Sequence, residues 1–167
     1  MSKYPFKWNP ISDDVKKQRQ KIYTSPSTLD GLVSDPLEIY IPRSMETVAK
    51  KVYNFEVRPD DIWIVTYPKC GTTLTQELTW QIVNGVQLDS EESKKPLFVR
   101  SPFIEAGCLR VKGDEVKDRP DPIDYAADQL KSPRIIKTHL PISMLPPKIL
   151  ETSKVLYVSR YRKVTIL

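Results

Sequence analysis

Three short stretches of this 167-residue chain hold side chains suited to handling an anion. Lys69-Cys70-Gly71-Thr72-Thr73 follows an apolar β-branched run and opens a helical pattern. Unpartnered N–H groups at the start of a helix favour negative charge, Gly71 lets the backbone approach closely, and Thr72 and Thr73 add hydroxyls beside the Lys69 cation. The lysine precedes the glycine, so this is not the G-x-x-x-x-G-K-[ST] arrangement of common nucleotide hydrolases. A plain turn with a surface lysine would have the same residues. Lys137 and His139 lie two residues apart, and His139 is the sole histidine. A neutral imidazole can accept a proton near pH 7, although a lone histidine also serves structural ends. Phe103 is a candidate wall residue or a core phenylalanine, and Arg160 closes the last apolar run.

Positioning these residues requires strands ending near one another. Residues 61–67, 134–138 and 154–159 are short, apolar and rich in β-branched types, which predicts buried strands. Residues 37–42 alternate and predict a further strand. Helices are expected at 44–53, capped by Ser44, and at 73–83, where Thr73 and Gln76 have capping-box spacing and Asn84-Gly85 is a stop. A brief helix at 125–130 and a helical turn at 142–150, interrupted by Pro146-Pro147, complete the pattern, with loops and short helical pieces between 89 and 122. Strands alternating with helices indicate an α/β chain with a parallel sheet. Ligands of such sheets lie beyond the carboxyl ends of the strands, where Lys69, Lys137, His139 and Arg160 all fall. Residues 1–35 read as an arm over the core and 36–167 as the main unit.

Composition narrows the class. The apolar fraction is 40% and the charged fraction 28%, as in globular proteins. No run approaches the ~20 apolar residues of a membrane span, and the start carries no secretory pattern, so a cytoplasmic address is expected. The net charge of +5 is spread along the chain without basic-aromatic repeats, so neither nucleic acid nor membrane is an expected partner. Cys70 and Cys108 lack metal-ligand spacing and are expected as free thiols, with no metal bound.

Thr66-Tyr67-Pro68-Lys69-Cys70-Gly71-Thr72-Thr73 resembles the T-Y-P-K-S-G-T-T-W loop of the cytosolic sulfotransferases, and Lys137-Thr138-His139-Leu140-Pro141 resembles their catalytic segment. Insect members acting on retinoid-like or other apolar alcohols, retinol dehydratase among them, look alike at the loop. The resemblance implies a three-layer P-loop-like α/β fold with a central parallel sheet flanked by helices. It implies 3′-phosphoadenosine 5′-phosphosulfate (PAPS) as donor and a small alcohol, phenol or amine as acceptor. By it, Lys69, Cys70, Gly71, Thr72, Thr73, Leu74 and Arg160 bind the donor. His139 is the base, Lys69 and Lys137 assist transfer, and Phe103, Lys137 and His139 meet the acceptor. Cys70 stands where the family has serine, and Leu74 where it has tryptophan. After Arg160 the family reads N-P-K-D-V and this chain Tyr161-Arg162-Lys163-Val164, with only Lys163 in place. The later R-K-G-x-x-G-D-W segment is absent, so a truncated domain of doubtful competence is expected. Two rival readings are a non-catalytic anion-binding fragment and another phosphate-binding small-molecule kinase.

Overall fold

A computed structural model describes residues 4–23, 31–109 and 120–160. The expectations on Tyr161-Arg162-Lys163-Val164, on 24–30 of the arm and on 110–119 lie outside the described residues.

Three parallel strands carry the site: β4 (Ile62–Thr66), β5 (Ile135–Thr138) and β6 (Lys154–Val158), in the order β5-β4-β6. The central β4 is buried throughout. Its alternation divides the core between two faces. Ile62 and Ile64 pack with Ile135 against Trp80 of helix α3 (Thr72–Val83). Trp63 and Val65 pack with Ile136 against Met45, Val48, Ala49 and Val52 of helix α2 (Met45–Tyr53). The result is helix, sheet, helix, as the period-2 pattern of a strand buried on both faces requires. The register sets Val65 opposite both Thr138 and Tyr157, so all three strands end level.

A buried ion pair fixes the opposite ends of these strands. Arg134 donates from Nε to Asp61 Oδ1 (2.7 Å) and from Nη2 to Oδ2 (2.6 Å), with both side chains fully buried. Its remaining N–H groups reach Ala126 O (3.1 Å) and Glu56 O (2.8 Å), and the Arg58 N–H donates to Asp61 Oδ2 (2.8 Å). Every charge is therefore met by opposite charge or dipole, the condition for tolerating ions in a core.

A second sheet is antiparallel, β1-β2-β3, from β1 (Lys7–Pro10), β2 (Gly31–Asp35) and β3 (Tyr40–Pro42). Phe6, Leu32 and Ile41 bring it into the main core. Helix α1 (Asp13–Gln20) is capped by Ser12, whose Oγ accepts from the Val15 N–H (3.4 Å). The expected boundary after residue 35 falls within the β2–β3 hairpin.

Several local expectations are corrected. The strand expected over 37–42 begins only at Tyr40, because Pro36 and a left-handed Glu38 (φ 54°) form a turn, held where Ser34 Oγ accepts from the Ile39 N–H (3.1 Å). Ser44 does not cap α2; its hydroxyl donates to Cys108 O (2.6 Å) instead. The Thr73–Gln76 capping box does not form. Gly71 is the N-cap, and Gln76 donates to Ser101 O (2.8 Å) and Oγ (3.0 Å). For Ser44 and Gln76 a tertiary partner outcompetes the local one. The helix expected at 125–130 runs instead over Pro122–Asp128 (α4), because Asp121 caps it and accepts from the Ile123 N–H (2.9 Å).

Candidate active site

The turn after β4 is built by two left-handed residues, Lys69 (φ 66°) and Gly71 (φ 98°). Only glycine adopts the second without steric penalty. The turn delivers α3 with no side chain capping its N-terminus, so its leading N–H groups are left for water or an anion. Lys69, Thr73 and Leu74 are exposed, while Cys70 is a buried free thiol. Arg160, two residues beyond β6, reaches the same turn: a Cβ on Gly71 would lie 3.8 Å from its Nη2. The sheet end thus collects an uncapped helix start and two cations.

The end of β5 supplies the imidazole. Thr138 Oγ1 accepts from the Leu140 N–H (3.0 Å), closing the strand and leaving His139 at the corner. His139 Nδ1 lies 2.9 Å from Thr66 O and 3.0 Å from Thr66 Oγ1. A carbonyl oxygen only accepts, so Nδ1 carries the proton and Nε2 holds the lone pair. Thr66 Oγ1 is also 2.7 Å from Thr72 Oγ1. One hydrogen-bonded chain, Thr72–Thr66–His139, therefore ties the turn to the imidazole. Burial lowers the His139 pKa below its usual 6.5, with the Lys137 charge adding to that and the Thr66 bond opposing it. The ring is neutral near pH 7 and able to accept a proton.

Phe103 joins this group from an earlier segment. It pairs with Lys137 in a parallel bridge, lies edge to face with the His139 ring at 5.1 Å, and carries the Lys137 ammonium over its own ring at 4.3 Å. Burial also lowers the Lys137 pKa, opposed by the Glu105 charge.

The structure therefore gathers Gly71, Thr72 and Arg160 around the turn, and Phe103, Lys137 and His139 beside it. The Lys69 and Thr73 side chains face solvent at the same sheet end. Two participants escape sequence reading. Thr66 is the last residue of a buried strand, and a hydroxyl there is a faint signal. Glu105 lies in an apolar segment where only Phe103 stands out. A groove of ≈ 500 Å³ bordered by Trp80, Asn84, Tyr125 and Ile135 lies at the start of β5, away from His139. Among the described residues no group of His, Cys, Asp and Glu could hold a metal, and no helix is long and apolar enough to cross a membrane.

Residues 59–166 match the family described as "Sulfotransferase domain". The chain belongs to this family. It is similar to cytosolic sulfotransferase 1 of Danio rerio, 39% identical over 117 residues, covering 68% of this chain and 36% of that protein. It is similar to sulfotransferase 1A1 of Mus musculus, 38% identical over 131 residues, covering 77% of this chain and 40% of the relative. Among solved structures, retinol dehydratase with androsterone and inactive cofactor PAP superimposes with a TM-score of 0.78 at 24% identity, over 97% of this chain and 53% of that one. Retinol dehydratase with retinol and PAP gives 0.71 at 22%, over 92% and 51%. These neighbours share the fold, an α/β architecture with a central parallel sheet. The chain spans about two fifths of the length of these curated relatives and about half that of the solved neighbours.

Proposed function

We propose that this chain carries the donor turn and the base of a sulfotransferase acting on a hydroxyl or amine of a small apolar molecule, with PAPS as donor and no metal. The observation that carries this is the His139 tautomer: Nδ1 is committed to Thr66, so Nε2 is the accepting nitrogen at the sheet end shared with the Lys69–Thr73 turn. The residues present fit the donor. An uncapped helix start, Gly71 with a left-handed backbone, and Lys69 and Arg160 suit a ligand with several negative charges. Bound there, the donor would supply the sulfuryl group.

In this reading Lys69, Cys70, Gly71, Thr72 and Thr73 hold the phosphosulfate end. Leu74 offers an aliphatic contact to the donor's adenine ring, and Arg160 meets the second phosphate. His139 Nε2 takes the acceptor's proton as its oxygen bonds to sulfur. Lys69 and Lys137 offset the charge that develops as the bridging S–O bond breaks, an interaction stronger in the transition state than before it. Phe103 walls the acceptor side. The solved neighbours bind retinol or androsterone with PAP, which supports an apolar alcohol as acceptor. The name of the Danio rerio relative, cytosolic sulfotransferase 1, supports a cytoplasmic address. In this reading residues 36–167 carry the sulfotransferase portion, and 1–35 are an arm joined to it through the β2–β3 hairpin.

Thermal-shift titration with adenosine 3′,5′-bisphosphate against ATP tests the reading. Stabilisation by the bisphosphate and not by ATP is expected. In a full-length version, His139→Ala should keep that stabilisation and abolish transfer to a phenol. Stabilisation by ATP alone would favour a kinase. Bisphosphate binding without any transfer would favour an anion-binding unit without catalysis.

A further inference from the structure

Between α3 and β5 runs a short segment that the donor turn and the base do not account for. It is fixed at both sides. Gln76 of α3 donates to Ser101 O (2.8 Å), the Lys137 N–H donates to Pro102 O (2.9 Å), and the Ile104 N–H donates to Lys137 O (3.0 Å). This brings Glu105 to the end of β5. Glu105 is 2% exposed. Its Oε1 accepts from the His139 main-chain N–H (2.5 Å). Its Oε2 is buried without a hydrogen-bond partner among the described residues.

Such a side chain is a poor choice for filling space. A leucine would occupy the volume without stranding an acceptor or burying an ionisable group. The bond it makes is aimed at one atom, the N–H of the residue whose ring is held from the other side by Thr66. His139 is thus anchored twice, at its main chain by Glu105 and at Nδ1 by Thr66. Fixing both leaves the ring little freedom to swing Nε2 away, and precise aim of a base is worth orders of magnitude in rate.

We propose that Glu105 is a positioning residue for proton transfer, its carboxyl clamping the main chain at His139 and thereby setting where Nε2 points. This rests on the sulfuryl-transfer reading. The ionisable groups facing Glu105 are Lys137 and His139 of the β5 end and Cys108 of the following turn. Burial pushes its carboxyl up to about 7, against the pull of the His139 N–H and the Lys137 charge. The clamp therefore changes from a charged to a neutral acceptor near neutrality, above the range where the His139 ring takes its proton.

The chain's single histidine makes this observable. In ¹⁵N-labelled protein the His139 amide proton should lie downfield and move with pH in a step near 7. Glu105→Gln, which keeps an acceptor oxygen at the same reach, should abolish that step, hold the amide downfield and leave both ring nitrogens where they were. Glu105→Ala should lose the downfield position and shift the ring signals. The proposal is overturned if Glu105→Gln retains the step, or if Glu105→Ala leaves amide and ring unchanged. Should Glu105→Ala fail to fold, the isosteric glutamine variant decides alone. Titration of the same samples with adenosine 3′,5′-bisphosphate separates the two readings. Absent binding with the amide signature intact would retire the function and keep the clamp. Binding with His139 signals indifferent to Glu105 would do the reverse.

Discussion

Removing one member of the Asp61–Arg134 pair should harm the fold more than its share of removing both. Arg134→Met leaves a fully buried carboxylate with the Arg58 N–H as its remaining donor; Asp61→Leu leaves a buried guanidinium with two carbonyl acceptors, Ala126 O and Glu56 O. Breaking a buried pair from one side costs about 3–5 kcal/mol, because the partner stays charged and uncompensated. The double variant strands two carbonyls and one N–H but no ion. It should fall short of the summed single losses by at least about 2 kcal/mol, within the range seen for residues in contact. Urea unfolding followed by tryptophan fluorescence suits the measurement, since Trp63 packs on Phe55 at 5.7 Å and the Arg134 guanidinium lies over the same Phe55 ring at 4.8 Å. Additivity within about 0.5 kcal/mol would refute the reasoning and mean that the two charges are stabilised separately. The pair matters to the site because it sets β5 against β4 at one end, while Thr66 and His139 meet at the other.

Two further outcomes follow from buried and exposed extremes. The Glu105 pKa is raised in the fold from 4.5 to about 7, so its contribution to stability is fully present below pH 4.5 and is lost as pH rises through about 7. The loss should approach about 3 kcal/mol, and Glu105→Gln should flatten that part of a stability–pH curve measured by chemical denaturation. Among the described residues β6 lies at one edge of the parallel sheet and exposes Leu156 (41%) and Tyr157 (70%), while α3 exposes Leu74, Leu78 and Ile82. An open apolar edge strand invites pairing. Lysines at 156 and 157 should therefore reduce self-association in sedimentation velocity, and an unchanged distribution would show that the edge is not the sticking surface.

The parallel sheet was legible because each of its strands is a short β-branched run, and a strand buried on both faces cannot be written otherwise. Helix α2 was legible from its i, i+3, i+4 spacing. The antiparallel sheet was not, since Lys7-Trp8-Asn9-Pro10 has no alternation and depends on β2 for its pairing. The cap assigned to Ser44 and the box assigned to Thr73 and Gln76 failed because Ser44 and Gln76 each bond a distant partner, Cys108 and Ser101, that sequence does not reveal. Lys69, Gly71, Thr72, Lys137 and His139 stood out because their chemistry is unusual for strand ends. Thr66 and Glu105 did not, because their roles arise from contacts 73 and 34 residues away along the chain.

The most direct test is long-range ¹H–¹⁵N correlation of the His139 ring with and without adenosine 3′,5′-bisphosphate. The proton should reside on Nδ1, and addition of the bisphosphate should move the Nε2 resonance. A proton on Nε2 would show that Thr66 does not hold Nδ1, and saturating bisphosphate that leaves both ring nitrogens unmoved would show that the anion turn and the imidazole do not share a site.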